Sequence, residues 1–239
     1  MGKVLIAMSG GVDSSVAAYL LKHSGWDCVG ATMTLYRNED IGISRSRTCC
    51  SLEDVEDARS VAFRLRIPYY VFNFSDEFRR QVMDRFADAY GQGRTPNPCI
   101  DCNRYLKFRH LYDRAVLLGC DAIATGHYAR IERENGRYLL KKALDASKDQ
   151  SYVLYMLTQE QLAHTQFPLG ALRKAETRQL ADSLGFFNAR KPDSQDICFV
   201  PDGDYAAFIR WHTGKADTPG DFVDESGRIL GRHRGIAHY

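Results

Sequence analysis

Ser9-Gly10-Gly11-Val12-Asp13-Ser14-Ser15 has the composition of an anion-binding turn. Gly10 and Gly11 let the backbone turn tightly and bring N–H groups close to phosphate. An apolar run over 3–8 precedes the turn and helical periodicity over 12–23 follows it. The helix therefore presents its free N–H groups and positive dipole end to the anion. Ser9, Ser14 and Ser15 add hydroxyl donors, and Asp13 can hold Mg²⁺ or orient a ribose or pyrophosphate contact. The Gly-Lys-Ser/Thr of a Walker loop is missing, and so is the G-x-G-x-x-G of a dinucleotide fold. The plainer alternative is a tight turn whose Ser and Asp cap a helix.

Sulfur is the second candidate chemistry. Cys99 and Cys102 stand in C-x-x-C spacing within Arg94-Thr95-Pro96-Asn97-Pro98-Cys99-Ile100-Asp101-Cys102-Asn103. The two prolines predict a stiff loop. Such a pair can ligate a metal or cycle between dithiol and disulfide. No second C-x-x-C accompanies it, which argues against a Cys₄ zinc ribbon. Cys198 lies in a polar stretch, Asp193-Ser194-Gln195-Asp196-Ile197-Cys198-Phe199. Cys28 and Cys120 fall in strand-like runs and read as buried and inert. The adjacent Cys49 and Cys50 read as structural too. Seven cysteines, an odd number in a chain too large to need staples, suit a reducing, cytoplasmic compartment.

The elements that must position these groups alternate. Strand-like runs over 3–8, 27–35, 69–74 and 120–125 are separated by helical patterns over 12–23, 52–66, 77–90 and 105–118. This order predicts an α/β fold, a doubly wound parallel sheet, with the first turn at the carboxyl ends of the strands, where such folds bind ligands. Asn135-Gly136 predicts a hairpin between 128–132 and 137–141. Helices are expected over 152–164 and 174–184, a polar loop over 190–204, and short strands near 221–223 and 228–230. The expected division is a first domain over 1–205 and the incomplete beginning of a β-rich domain over 206–239. The 239 residues carry a net charge of +2, which neither demands nor excludes nucleic acid. No apolar run reaches the roughly 20 residues of a membrane span, and no membrane partner is expected.

The loop resembles the S-G-G-x-D-S signature of the PP-loop ATP pyrophosphatase superfamily, also described as adenine nucleotide alpha hydrolase-like. Thr125-Gly126-His127 matches a second segment found in its sulfur-inserting members. Across the chain the sequence is similar to the tRNA-specific 2-thiouridylase family. The matching segments are SGGVDSS, TPNPC-x-x-CN, Lys107-Phe108, ATGHYAR over 124–130, KDQSYVLY over 148–155, and DSQDICF. The resemblance implies ATP contacts from Ala7, Met8, Ser9, Gly10, Gly11, Val12, Asp13, Ser14, Ser15, Met33 and Gly126. It implies target-base contacts from Asn97, Pro98 and Cys99, and tRNA contacts from His127, Lys148, Asp149 and Gln150. Cys102 is then the nucleophile and Cys198 the persulfide carrier. With Asp13 these form the catalytic set, served by ATP and Mg²⁺.

The implied partners are tRNA and a sulfur-donor protein, either a cysteine desulfurase or a sulfur-relay protein. The implied reaction is adenylation of the uracil 2-oxygen at tRNA position 34, followed by sulfur attack at C2. Cys99 departs from a well-known form of the family, which has Asp there. Cys99, Cys102 and Cys198 also match the three-cysteine pattern of PP-loop thiolases that hold a 4Fe–4S cluster, so a cluster and a persulfide cycle are both open. The family continues through further domains, so the chain is expected to stop just inside the central one. Two other functions are compatible with the loop: a PP-loop ligase or amidotransferase, and an ATP- and tRNA-binding fragment without turnover. Lys148, Asp149 and Gln150 also read as a solvated helix cap, His127 as a loop-satisfying side chain, and Tyr152 and Tyr155 as core.

Overall fold

The computed structural model describes residues 2–41, 52–193 and 197–239. The strands, in chain order, are β1 (Lys3–Ala7), β2 (Asp27–Thr34), β3 (Tyr69–Asn73), β4 (Ala122–Ala124), β5 (Ala129–Glu134), β6 (Arg137–Lys142), β7 (Thr165–Gln166), β8 (Gly220–Val223) and β9 (Ile229–His233). Five of them form a parallel sheet in the order β3-β2-β1-β4-β7. Chain direction across the sheet reverses at β1. β2 and β3 follow on one side of it, and β4 and β7 lie on the other. The carboxyl end of β1 is therefore the switch-point crevice of a doubly wound sheet.

Strand periodicity separates two cores, one on each face. Val4, Ile6 and Met8 join apolar residues of the helices Val12–His23, Leu52–Arg64 and Lys174–Ser183. Leu5 joins Phe78, Val82 and Phe86 from the helix over 75–91, and Leu106, Phe108 and Leu111 from the helix over 98–117. Alternate side chains of a strand point to opposite faces, so one strand feeds both cores. Cys28 and Cys120 are buried as expected, and burial pushes the Cys28 thiol up to about 11. Cys49 and Cys50 lie outside the described residues.

Three expectations change. The helix over 98–117 starts well ahead of the expected 105, because Pro98 occupies its first turn and the Asn97 side chain accepts from the Cys99 N–H at 3.0 Å. Proline is favoured there, since its missing N–H would have no helical partner. Cys99 and Cys102 thus ride on a helix and not on a stiff loop. The helix expected over 152–164 is shorter. A 3₁₀ turn spans Ser151–Val153, and the helix Gln159–Ala163 begins at a capping box between Thr158 and Gln161. An unanticipated helix, Tyr205–Thr213, packs Phe208 against Phe86 and Phe199 in the first core, so a division at 205/206 falls at the start of an element packed on the sheet domain. The β5–β6 hairpin forms as expected, with Asn135 and Gly136 both at positive φ.

Candidate active site

β1 delivers the chain into the turn at Gly10, whose φ is +74° and where a Cβ would lie 2.4 Å from the Asp54 carbonyl oxygen. Only glycine fits. Gly11 then starts the helix Val12–His23 in an extended conformation, with no side chain capping it. The first helical N–H groups are left for an external acceptor. Ser14 and Ser15 are 4% and 0% exposed. Their hydroxyls bond to the Gly11 carbonyl at 3.1 and 3.0 Å, so they hold the turn's shape from behind and are not free donors. Ser9 stays exposed, and Ala7 and Met8 bring the strand to it. Gly126 closes the back of the turn, since a Cβ there would sit 2.9 Å from the Ser14 nitrogen.

Asp13 faces a charged cluster assembled from distant segments. Lys174 Nζ lies 2.8 and 2.7 Å from its two carboxylate oxygens, and Tyr128 donates to it at 2.9 Å. Lys174, with its side chain 10% exposed, also reaches Asp193 at 2.8 Å. Arg178 and Lys148 meet Asp193 at 2.6 and 3.0 Å. Arg178 further donates to the carbonyls of Ala189 and Lys191, both at 3.1 Å. Asn188 donates to the Gly10 carbonyl and to Ser15 Oγ, each at 2.9 Å. Lys191 pairs with Asp54 and Asp57. The segment 188–193, which leads toward Cys198, is therefore bonded to the phosphate turn directly at Asn188, through Lys174 to Asp13 at Asp193, and to the helix Leu52–Arg64 at Lys191.

Burial alone would raise the Asp193 carboxyl, but hydrogen bonds from Lys174 and Lys148 outweigh it and hold the group at about 2, below its ordinary 3.8. A depressed carboxyl stabilises the fold above its unfolded value, and this contribution is lost as pH falls through the folded one. Asp193→Asn should therefore be less stable than the wild type by about 2 kcal/mol at neutral pH. The gap should close between pH 3.8 and about 2 in urea unfolding. Parallel pH curves for the two proteins would contradict the assignment.

Cys99 is exposed, whereas Cys102 and Cys198 are half-buried against the first core. Burial pushes the Cys102 thiol up, Lys107 pulls it back, and Cys99 and Asp101 raise it further. Tyr36, just beyond β2, donates to the Cys198 carbonyl, which brings that residue to the carboxyl edge of the sheet. Among the described residues no three His, Cys, Asp or Glu side chains converge as a metal-ligand set. Cys99, Cys102 and Cys198 as placed do not fit a 4Fe–4S cluster, because they do not converge as a ligand set. The Asp13 carboxylate that a Mg²⁺ ion would use is neutralised by Lys174 in this arrangement.

The residues expected at the RNA are mostly engaged in holding the wall of the site. Asp149 accepts from Ala143 N and Ser151 Oγ, and Gln150 accepts from Tyr128 N. His127 is 8% exposed, with Nδ1 2.7 Å from Thr125 Oγ1. Burial and Lys107 hold its imidazole neutral. The His127 side chain thus lies inside the wall of the site. Asn97 caps the cysteine helix, Pro98 is buried in its first turn, and Met33 is half-buried at the end of β2. Sequence reasoning missed Tyr128, Lys174, Thr177, Arg178, Asn188, Lys191 and Asp193. Lys174, Thr177 and Arg178 share one helix face by their spacing, but such a polar face ordinarily reads as solvated.

A glycine turn at the switch point of a parallel sheet, feeding a helix whose N-terminus has no side-chain cap, defines a nucleotide-binding α/β protein of the PP-loop class. A family model described as the tRNA methyl transferase HUP domain matches residues 2–202. A tRNA-specific 2-thiouridylase MnmA from Lachnoclostridium phytofermentans is 56% identical over 241 residues, covering 100% of this chain and 68% of that protein. One from Clostridioides difficile is 53% identical over 239 residues, covering 99% and 66%. The chain belongs to the tRNA-specific 2-thiouridylase family and spans about two thirds of the length of these relatives. The family model and the relatives name different transferred groups. Identity above one half along the whole chain places it with the thiouridylases. Among solved structures, a 4-thiouridine synthetase–RNA complex with bound ATP has a TM-score of 0.56 at 22% identity, covering 84% of this chain and 45% of that one. An NMN synthetase from Francisella tularensis has a TM-score of 0.51 at 18% identity, covering 91% and 79%. These two share the fold.

Proposed function

We propose that this chain is an ATP-dependent tRNA-uridine 2-sulfurtransferase that forms 2-thiouridine at the wobble position, 34. The observation that carries the mechanism is the clamp on 188–193. It ties the segment leading to Cys198 to the phosphate turn through Asn188 and through the Asp193–Lys174–Asp13 bridge. Nucleotide and sulfur chemistry are thereby held at one edge of the sheet.

In this reading Ala7, Met8, Ser9, Gly10, Gly11, Val12 and the uncapped helix start hold ATP, with Met33 and Gly126 beside it. Ser14 and Ser15 support the turn from within. Asp13 acts with Lys174, whose ammonium can shift from carboxylate to phosphate as charge builds on the leaving pyrophosphate. The uracil 2-oxygen attacks the α-phosphorus, and the bond to pyrophosphate breaks. The terminal sulfur of a Cys198 persulfide attacks C2. The Cys102 thiolate then attacks Cys198 Sγ and displaces the C2-bound sulfur, so that a Cys102–Cys198 disulfide remains and AMP leaves as the thiocarbonyl forms. The two cysteines give up two electrons in forming this disulfide, which reduces the sulfane sulfur to the sulfide level of the thiocarbonyl. A dithiol reductant opens this disulfide and is itself oxidised, after which a persulfide-donating protein reloads Cys198. Asn97, Pro98 and Cys99 lie against the base, and Lys148 faces the tRNA backbone.

The test uses tRNA lacking the modification, ATP and a persulfide donor. Pyrophosphate release should require tRNA, and 2-thiouridine should accumulate. Release dependent on a small carboxylic acid instead would point to a ligase. ATP and tRNA binding with neither product would point to a binding fragment.

A further inference from the structure

Two exposed tyrosines lie beside the site. Tyr152 and Tyr155 are 62% and 65% exposed, although their neighbours Val153, Leu154 and Leu157 are buried. Among the described residues neither ring has an aromatic, cationic or hydrogen-bonding partner. Sequence spacing favoured the core for both, and the structure reverses that. Successive three-residue turns, Leu154 N to Ser151 O at 3.0 Å and Leu157 N to Leu154 O at 3.0 Å, set positions three apart on one side of the segment. Two large rings therefore share a solvent-facing side.

The segment is anchored at both candidate chemistries. Gln150 N donates to the Tyr128 carbonyl at 2.9 Å, and Tyr128 is the residue that bonds Asp13. Asn103, next to Cys102 and 1% exposed, donates to the Val153 carbonyl at 3.1 Å. Its Oδ1 has no protein partner. The rings thus stand between the phosphate turn and the cysteine helix. The two elements that meet this segment carry cations: Lys107 and Arg109 on the cysteine helix, and Arg137 and Lys142 on the hairpin whose β6 packs on it. Lys107, Arg109 and Arg137 have no carboxylate partner among the described residues, while Lys142 acts on Asp149. Exposed π-faces beside unpaired cations suit single-stranded nucleic acid, whose bases stack while its phosphates meet the charges. A duplex offers no free base faces.

We infer that Tyr152 and Tyr155 form a stacking platform for unpaired anticodon-loop bases flanking the target uridine, and so position the RNA over the cysteine pair. The inference rests on the proposed tRNA thiolation, and its test separates the two. The full chain is titrated with an anticodon stem-loop RNA carrying uridine at position 34, and with the same sequence annealed to its complement. Tyr152→Ala and Tyr155→Ala should each weaken stem-loop binding roughly 5- to 100-fold, the range for one base–aromatic stack. Duplex binding, the salt slope and ATP binding should be unchanged. Tyr155→Phe should bind like the wild type. Tyr155→Trp should show fluorescence quenching with stem-loop but not with duplex.

Wild-type affinity in both alanine variants overturns the platform, as does equal loss on duplex or loss that Phe does not rescue. Unchanged RNA affinity with failed sulfur delivery from a persulfide carrier would reassign the surface to a protein partner and overturn it as well. Wild-type thiolation is assayed beside these titrations. Its absence would sink the enzyme reading while leaving the ring-dependent binding result to stand on its own.

Discussion

Cys198→Ala is expected to abolish 2-thiouridine formation, by about 10³-fold or more, while tRNA-dependent pyrophosphate release continues. Cys198 reaches the site on a segment tethered through Asn188, Lys191 and Asp193, with its own carbonyl engaged by Tyr36. Removing the thiol alone leaves those tethers intact, so adenylation should survive and sulfur transfer should not. Cys102→Ser should fail to the same degree, because a hydroxyl at neutral pH offers no anionic nucleophile. The resting Cys102 thiol is held in its neutral form chiefly by burial. Activity should therefore rise with pH until the nucleophile ionises, and Lys107→Met should move that rise to higher pH. Cys99→Ser is the internal control. Cys99 is exposed and joins no ligand set, so substantial thiolation should remain, and anaerobically purified protein should carry only substoichiometric iron. Full 2-thiouridine formation by Cys198→Ala would end the persulfide assignment. Joint loss of iron and activity in Cys99→Ser would return the cluster.

Lys174→Met should be the most damaging single change outside the cysteines, and for two separable reasons. Its ammonium joins Asp13 and Asp193, and its side chain is 10% exposed. Removing it leaves two carboxylates facing one another without the cation between them. Breaking such a pair from one side costs about 3 kcal/mol. The same change removes the positive charge nearest the turn that would meet phosphate, so adenylation should fall by about 10²-fold or more, the scale for losing one charge-stabilising donor. Asp13→Ala differs. Lys174 keeps Asp193 as a partner, so the fold should survive at a cost of about 1–2 kcal/mol while adenylation is lost. That cost arises because Asp13 is bonded to both Lys174 and Tyr128, and is not an isolated loop carboxylate. A double-mutant cycle between Asp13→Asn and Lys174→Met should show coupling of about 1–3 kcal/mol in urea unfolding. Additive effects, or a Lys174→Met protein with wild-type pyrophosphate release, would remove Lys174 from the machinery.

What the sequence determined by itself was whatever depends on neighbours in the chain. An apolar run, two glycines and a helical period are enough to specify β1, the turn and the helix after it. The dipeptide Asn135-Gly136 specifies a hairpin, because few residues tolerate positive φ at both turn positions. Alternation of strands and helices specified the doubly wound class. Even the misjudged helix starts had local signals, in Asn97 before Pro98 and in the Thr158–Gln161 capping box. Tertiary structure alone decided the composition of the site. Asp13 and Lys174 are 161 residues apart in the chain yet share two hydrogen bonds, and Asn188 reaches Gly10 across 178. No local pattern marks such pairs. A lysine on a polar helix face looks the same whether it meets water or a buried carboxylate, until the sheet brings the facing segment within a few ångströms. Exposure was equally non-local. His127 went inside and Tyr152 and Tyr155 went outside because packing of the surrounding segments, and not their own spacing, set which side chains water could reach.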